Sequence, residues 1–309
     1  MQRKVIQLAG KTLVVSLPNK WVKQFGIQKG DELDILEEDN QLVIRSGIRR
    51  EESKNIFIDI SDSKERIIRW TLSALHKKGY DEIQVKFEHM DKLRILEDLI
   101  RNRFIGFAIV HQTESLCIIR NITKEAEMEF DSILRRGFLV TESLAESTLD
   151  LMKRKKFKEM SELVQLEKTN NQLTNFCERI INKGKYPVAK DSHFMYVIAW
   201  NLEKVADDYK YICEYLSRLD NPVIDQPTVE IFERINHYFK EFYYLFYKFK
   251  IEELNELDKK RKIIIKDIIE VCEHANKENT VILNYLLSNI YKIVDFHAST
   301  IALNSEPED

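Results

Sequence analysis

The sequence predicts a multidomain α+β protein with a strand-rich N-terminal module, a small α/β domain and a long C-terminal region that is entirely α-helical. Three observations predict this arrangement. Short apolar segments with strand-like alternation fill the first part of the chain. All eight glycines lie at or before Gly184, and tight turns between strands usually need glycine. Pro187, Pro222 and Pro227 fall in short polar connectors between long periodic segments, where helices end and begin.

Composition places the chain among folded soluble proteins. Of its 309 residues 44% are apolar and 32% are charged, and this length allows two or three domains with cores of their own. The chain has no uninterrupted apolar run of about 18 residues, and its N-terminus lacks the apolar stretch of a signal peptide. The four cysteines lie far apart without a CxxC pair. We therefore expect a cytoplasmic protein with reduced cysteines and no membrane insertion.

The formal net charge of −3 conceals a sharp division of charge near the N-terminus. Six basic residues and no acidic residue occur up to Gly30, whereas six acidic residues occur from Asp31 to Asp39. A basic surface of this density favours an anionic partner, most commonly DNA, although the solvated face of an ordinary small barrel carries similar charges. The basic residues are Arg3, Lys4, Lys11, Lys20, Lys23 and Lys29.

The module that carries these charges spans residues 1–46. Pro18 opens a helical turn that Gly26 closes. Four short strands and one helical turn cannot close a sizeable core in about 46 residues, so we expect an obligate homodimer. The alternation of apolar residues predicts the strands over 5–8, 12–17, 32–38 and 41–46.

The pattern LPNKWVKQFGIQKGDELDI in this module resembles the AbrB/SpoVT family of swapped-hairpin DNA-binding domains. The positions that carry the resemblance are Leu17, Pro18, Trp21, Gly26, Ile27, Gly30, Asp31, Leu33 and Ile35. The resemblance implies that two chains interlace their hairpins into one small β-barrel and that basic side chains on one face bind DNA. Each base would neutralise one phosphate, which gives salt-dependent binding with little sequence reading. The DNA-binding candidates are Arg3, Lys4, Lys11, Lys20 and Lys23.

A charged linker leads to residues 55–121, which predict a small α/β domain. Its first helix is expected to begin at a capping-box pair of Asp62 and Glu65 and to close at Gly79. The predicted element order is β-α-β-α-β-β, which we interpret as a ferredoxin-like or ACT-like sandwich. This domain either binds a small effector or spaces the two ends of the chain.

Residues 123–305 predict six helices with a break near 219–227, at the segment NPVIDQP. Three helices, a proline-marked hinge and three further helices indicate two tandem three-helix bundles. The predicted helices cover 123–153, 156–183, 188–218, 227–249, 252–277 and 279–304.

Carboxylates recur at helical spacing in this region. Glu203 and Asp207 lie four residues apart, on one face of a helix, with Asp208 beside them, and Glu142 and Glu146 show the same spacing. Aligned carboxylates repel one another unless a cation lies between them or they face water. A cation site and a solvated charged stripe both remain open on this pattern.

The segment NLEKVADD resembles the signature of the PhoU family of phosphate-uptake regulators, and SNIYKIVDFHASTIA resembles a second copy of it. The resemblance implies two tandem three-helix repeats and ExxxD or DxxxD motifs that hold metal ions. Glu203 and Asp207 match the motif in full, whereas in the second copy Asp295 matches and Tyr291 replaces the acid. Oxygen ligands suit Mg, Mn, Ca or Fe. The metal candidates are Glu203, Asp207, Asp208, Glu142, Glu146 and Asp295.

A chain that combines these two resemblances is similar to archaeal phosphate-uptake regulators. They imply a cytoplasmic, homodimeric transcriptional regulator in which the N-terminal barrel binds DNA and the PhoU-like helices sense phosphate status or a metal ion. The alternative is an adaptor that docks on a phosphate transporter or a signalling kinase and uses the barrel only to dimerise. The sequence shows no coherent nucleophile, base and oxyanion-binding set, so we expect no enzymatic activity.

Overall fold

The computed structural model describes residues 2–8, 10–38, 41–46, 53–123 and 130–305. The chain forms two compact units, Met1–Glu52 and Ser53–Asp309.

The first unit consists of two antiparallel hairpins and one short helix. In the first hairpin Gln7 lies opposite Leu13, and in the second Ile35 lies opposite Ile44. The two hairpins form separate two-stranded sheets. The elements are β1 (Ile6–Leu8), β2 (Thr12–Val14), α1 (Asn19–Phe25), β3 (Leu33–Glu38) and β4 (Gln41–Ser46).

The segment between α1 and β3 owes its shape to two glycines and one aspartate. Gly26 has a φ of 64° and ends α1 in the left-handed region, and Gly30 has a φ of 101°. Both conformations are costly for residues with a Cβ atom. The Asp31 carboxylate accepts a hydrogen bond of 2.7 Å from the Gln28 amide and closes the turn. The Gly-Ile-x-x-Gly-Asp spacing thus has a local structural cause.

None of the side chains described in this first unit is buried. Leu13 is 69% exposed and Leu42 is 66% exposed. We expect these apolar side chains to pack against another surface, because a monomer rarely leaves a large contiguous apolar patch in water. More than half of the surface is also exposed at Val5, Ile6, Leu8 and Ile35.

The second unit begins with a four-stranded sheet in the order β5-β6-β8-β7. Strands β5 and β6 are parallel, and β8 pairs antiparallel with both β6 and β7. Ile68 and Leu72 from α2 and Leu96 from α3 pack into one buried core with the sheet. The elements are β5 (Asn55–Asp59), α2 (Glu65–Lys77), β6 (Glu82–Lys86), α3 (Asp91–Arg103), β7 (Phe107–Gln112) and β8 (Leu116–Asn121).

Two expectations for this region are wrong. A ferredoxin-like or ACT-like sheet inserts a strand between the two parallel strands, whereas β5 and β6 are direct neighbours joined by α2. The chain order β-α-β-α-β-β also differs from the β-α-β-β-α-β order of a ferredoxin-like domain. The capping box is also absent, because α2 begins after Lys64 without a side-chain cap and Glu65 pairs with Arg69. Gly79 does end the helix region, with a φ of 91°.

Six long helices follow, with short 3₁₀ turns before α5 and α6. The predicted start of the first helix at 123 falls partly on residues 124–129, which lie outside the described residues. The connector between α6 and α7 coincides with the predicted hinge. The helices are α4 (Phe130–Lys153), α5 (Met160–Asn182), α6 (Ser192–Arg218), α7 (Gln226–Tyr247), α8 (Ile251–Cys272) and α9 (Lys277–Leu303).

Helices α4, α5 and α6 pack against one another, as do α7, α8 and α9. The two sets share one continuous apolar core through contacts of α4 with α7 and of α6 with α9. Phe138 lies at its centre, with ring centroids of Phe239 and Phe296 both 6.0 Å away. The aromatic segment that begins at Phe239 is therefore bundle core, as its helical spacing indicates.

Helix α5 also joins the sheet region to the bundle. Its polar side chains donate hydrogen bonds to carbonyl groups at the C-terminal ends of α2 and α3, which otherwise lack intrahelical partners. The fully buried Arg179 donates to the carbonyls of His76 and Tyr80 at 2.9 Å and 2.8 Å and pairs with Asp81 at 2.6 Å. The other donors from α5 are Gln172, Asn175 and Asn182.

Candidate nucleic-acid interface and carboxylate cluster

The five predicted DNA-binding residues all lie on the surface of the first unit. Arg3 and Lys4 precede β1, Lys11 lies in the turn between β1 and β2, and Lys20 and Lys23 lie on α1. All five are exposed, and none forms an ion pair with another residue in the part of the chain that the structure describes. Their positive charges are therefore available to a partner.

Local structure explains why these side chains are presented to solvent. Gly10 has a φ of 80°, and its carbonyl accepts a hydrogen bond of 2.9 Å from Gln7 Nε2, which shapes the turn that carries Lys11. On α1, Lys20 and Lys23 are three residues apart and therefore share a face. Trp21 and Val22 occupy another side of this helix and are half-buried.

Exposed basic groups of this kind suit contacts to phosphate oxygens. Phosphate contacts fix the position of a protein on DNA and release counterions, but they carry no sequence information directly. The acids that follow Gly30 are also exposed where the structure describes them, and Asp31 is engaged in its own turn. The acid-free basic stretch thus ends at Gly30.

The predicted metal ligands on α6 are each bound to lysine ammonium groups. Glu203 lies 3.2 Å from Lys77 Nζ and 3.3 Å from Lys204 Nζ. Asp207 lies 3.2 Å from Lys204 Nζ and 2.5 Å from Lys210 Nζ. These two carboxylates are therefore brought together through a shared lysine.

The remaining metal candidates lie at other sites. Both carboxylate oxygens of Asp208 accept hydrogen bonds of 2.7 Å from Lys292 of α9. Glu142 and Glu146 of α4 share Lys240, at 2.6 Å and 3.5 Å. Asp295 is exposed on α9 and pairs with no residue among those that the structure describes. The six candidates thus do not converge on one point.

Two buried carboxylates of α5 belong to the same region as Glu203 and Asp207. Glu178 lies 2.9 Å from Lys77 Nζ, and Glu167 lies 2.9 Å from Lys210 Nζ. Neither belongs to the six metal candidates that the sequence predicts. The signal was the spacing of Lys204, Asp207 and Lys210 at intervals of three, which favours ion pairs along one helix.

Burial and lysine contacts act in opposite directions on these acids. Burial raises the pKa of Glu167, Glu178 and Asp208 above the usual range. Burial alone would also raise the pKa of Asp207, but the ammonium groups of Lys210 and Lys204 outweigh it and lower that pKa. The cluster therefore depends on its lysines to keep buried carboxylates charged.

His297, two residues after Asp295, is a packing residue. Its ring stacks on Phe242 with centroids 5.6 Å apart, and Nε2 lies 3.3 Å from the Tyr238 hydroxyl. Burial lowers the pKa of His297 to about 4. The cysteines are likewise free thiols, and burial raises the pKa of Cys117 and Cys213 to about 11. None of these groups adds a ligand to the candidate metal motif.

The donor chemistry of the motif suits a hard cation, but the arrangement does not fit one. The carboxylates of Glu203, Asp207 and Asp208 already bind ammonium groups. Within the described ranges, no group of three or more His, Cys, Asp or Glu side chains has a geometry that could hold a metal ion. A metal ion at Glu203 and Asp207 would have to displace at least one lysine.

Comparisons with known proteins concern the first unit alone. The family model described as "Antidote-toxin recognition MazE, bacterial antitoxin" matches residues 6–52. No curated protein and no solved structure matches the chain. The match supports the N-terminal part of the resemblance and does not extend to the helical region. Among the helices that the structure describes, none is both long enough and apolar enough to cross a membrane.

Proposed function

We propose that the chain is a cytoplasmic, non-enzymatic transcriptional regulator that binds DNA as a homodimer through its first unit. One observation carries the proposal: an acid-free segment of this unit carries exposed basic side chains that form no ion pair with any residue the structure describes. The match of residues 6–52 to a family model described as a bacterial antitoxin supports it, because such a match is consistent with a DNA-binding or antitoxin-like regulator. Regulators of this kind need no catalytic group.

Dimerisation follows from the exposed apolar surface of the hairpins. Both faces of the β1–β2 hairpin carry exposed apolar residues, since Ile6 and Leu13 have opposite orientations in the register. A hairpin of this kind is stable only when it is covered on its apolar sides. A second copy of the unit supplies a cover of matching chemistry and doubles the number of basic groups.

Salt dependence tests the electrostatic part of this proposal. Each phosphate that a basic group neutralises contributes a slope of about −0.9 to the dependence of log K on log salt concentration for duplex DNA. Replacing Lys11 and Lys20 with alanine removes two basic groups per chain, so we expect weaker binding and a shallower slope in a fluorescence anisotropy titration.

The matched control replaces Lys259 and Lys266 of α8 with alanine, which changes the net charge by the same amount. Both side chains are exposed, at 67% and 73%, and lie in the helical region. We expect this variant to bind DNA with the affinity and the salt slope of the wild type. Equal effects of the two double substitutions would show a non-specific charge effect and would contradict the proposed interface.

For the second unit we propose a regulatory role linked to phosphate uptake. The support is the similarity of NLEKVADD and of the last helix to the PhoU signature, together with the six-helix arrangement in two sets of three. Metal binding is not part of this proposal, because lysines pair with the motif carboxylates. DNA binding by the chain in phosphate-replete and in phosphate-starved cells tests it. The same set of bound and regulated genes under both conditions would count against a phosphate signal.

A protein-binding function is the second candidate. The matched family is named for the recognition of a toxin by its antidote, and the alternative of an adaptor on a phosphate transporter or a signalling kinase uses the barrel only for dimerisation. A chain that retains its full regulatory effect in cells although the Lys11→Ala and Lys20→Ala substitutions weaken its DNA binding would favour this candidate.

A further inference from the structure

An alternating row of acidic and basic side chains runs between α5 and α6 in the second unit. Four carboxylates are joined by three lysines, and each lysine bridges two carboxylates. Lys77 reaches this row from α2, whereas Lys204 and Lys210 belong to α6. We call these seven residues the charge row; its carboxylates are Glu178, Glu203, Asp207 and Glu167.

The distances show continuous pairing along the row. Lys77 Nζ lies 2.9 Å from Glu178 and 3.2 Å from Glu203. Lys204 Nζ continues from Glu203 to Asp207 at 3.3 Å and 3.2 Å. The last bridge, through Lys210, connects Asp207 at 2.5 Å with Glu167 of α5 at 2.9 Å.

Burial makes this pairing necessary. The Glu178 side chain is fully buried, and those of Glu167 and Glu203 are nearly so. Buried carboxylates without a cation cost free energy twice, through lost hydration and through mutual repulsion. Each lysine ammonium offers three donors on a flexible stem and can satisfy two carboxylates at once.

We propose that Lys77, Lys204 and Lys210 take the place that a metal ion would occupy beside the Glu203–Asp207 motif, so that tethered ammonium groups stabilise the helical region of this chain. A bridging metal ion performs the same task, since it neutralises carboxylates of neighbouring helices. Asp208, the acid that follows Asp207 in the sequence, is also neutralised by a lysine, because Lys292 of α9 binds both of its carboxylate oxygens. Stability of the folded chain is therefore independent of divalent cations.

The origin of Lys77 gives the row a second consequence. This lysine comes from the sheet region and binds Glu178 and Glu203 of the bundle, beside the Arg179–Asp81 pair. The row thus neutralises the motif and attaches the sheet region to α5 and α6 at the same time. A metal ion in its place would leave Lys77 without its partners.

The first arm of the test measures thermal unfolding of the full-length wild-type protein with EDTA, with excess Mg²⁺ and with excess Mn²⁺. We expect the same Tm in all three conditions and less than one equivalent of bound metal per chain by elemental analysis. A Tm that rises with either cation, or stoichiometric metal that is lost in Glu203→Gln, overturns the proposal.

The second arm uses Lys210→Met, which removes one ammonium group and retains an apolar stem. Glu167 and Asp207 then lack their common partner, so we expect the Tm to fall by about 5 °C or more, given the cost of breaking a buried pair. Mn²⁺ should restore part of the lost Tm, because it can bridge the carboxylates of Glu167 and Asp207, which no longer share a lysine. No recovery with Mn²⁺ or Mg²⁺ in a folded variant would contradict the substitution of lysine for metal.

The matched control is Lys259→Met, an exposed lysine of α8 whose pair with Glu256 lies in solvent. We expect its Tm to stay near that of the wild type and to be insensitive to Mn²⁺. If Lys210→Met does not fold, Lys204→Met provides the same comparison, and the wild-type arm by itself can overturn the proposal.

Discussion

At the scale of single residues, Arg179 is the clearest case of a polar side chain that specifies the fold. It is fully buried, donates to two carbonyls at the end of α2 and pairs with Asp81. Its guanidinium also lies 4.9 Å from the Phe107 ring centroid. Removing Arg179 takes one cationic partner from Asp81, which keeps Lys183 at 2.6 Å, and removes the buried donor to the His76 and Tyr80 carbonyls, which is costly.

We expect Arg179→Met to lower the free energy of unfolding by about 3–5 kcal/mol. Chemical denaturation of the full chain measures this loss. Arg218→Met is the control, since Arg218 is 78% exposed and lies 3.9 Å from Glu214, and exposed pairs of this kind contribute little. Similar losses for the two variants would show that Arg179 has no special role.

The buried His297 predicts a pH effect with a defined sign. Its pKa is lowered from 6.5 to about 4 in the folded chain. Between these pH values the unfolded chain binds a proton that the folded chain does not bind, so the free energy of unfolding falls as the pH falls through this window. The contribution is at most about 3 kcal/mol.

We expect His297→Phe to flatten the dependence of unfolding free energy on pH between about 6.5 and 4, because this substitution removes the titrating group. Tyr238→Phe is the control, since it removes the hydroxyl that contacts His297 and leaves the imidazole in place. Urea denaturation at several pH values measures the slope. A slope unchanged by His297→Phe would contradict the assignment.

The sequence alone could indicate the candidate site at this scale only in part. The exposure of Lys11, Lys20 and Lys23 agrees with their polar spacing on short elements. The spacing on α6 indicates the pairing of Asp207 with Lys204 and Lys210, but it does not indicate that of Glu203 with Lys77, which lies 126 residues away in the chain. Spacing within a helix shows which residues share a face, but it does not show which side chain of another element lies opposite.

At the scale of elements, the clearest prediction concerns the two hairpins of the first unit, which we expect to form the dimer contact. Leu13 and Leu42 are exposed in the single chain, although strand residues of this type normally pack against something. Both belong to segments that the family match covers. If a second copy covers them, a charge at either position disrupts the dimer.

We expect the double substitution Leu13→Asp and Leu42→Asp to convert a dimer into a monomer in analytical ultracentrifugation, because a buried unpaired carboxylate is costly at an interface. Ile263→Asp is the control, since Ile263 of α8 is also exposed, at 56%, and we place no interface there. A double variant that sediments like the wild type would exclude the hairpins as the dimer contact.

Element positions were largely predictable, and topology was not. Helical spacing located all six long helices, and NPVIDQP marked the connector between α6 and α7, because proline cannot continue a helix. The ferredoxin-like interpretation was wrong because periodicity reports the type of an element and not its neighbours in a sheet. The capping box predicted at Asp62 is wrong because α2 begins two residues later than that motif requires.

At the scale of the whole molecule, the chain combines a unit that is incomplete by itself with a unit that has a continuous core. The first unit has no buried side chain among its described residues, whereas the second buries all six long helices in one core and attaches the sheet region through α5.

A genome-wide DNA-binding profile of the full-length chain in its own cells tests the central claim most directly. We predict discrete sites of enrichment upstream of genes, with promoters of phosphate-uptake genes among them, and their loss when Lys11 and Lys20 are replaced with alanine. The Lys259→Ala and Lys266→Ala variant should keep the wild-type profile. A profile indistinguishable from that of cells without the protein, or one that the Lys11→Ala and Lys20→Ala variant fully retains, would contradict a DNA-binding regulator that acts through its basic N-terminal unit.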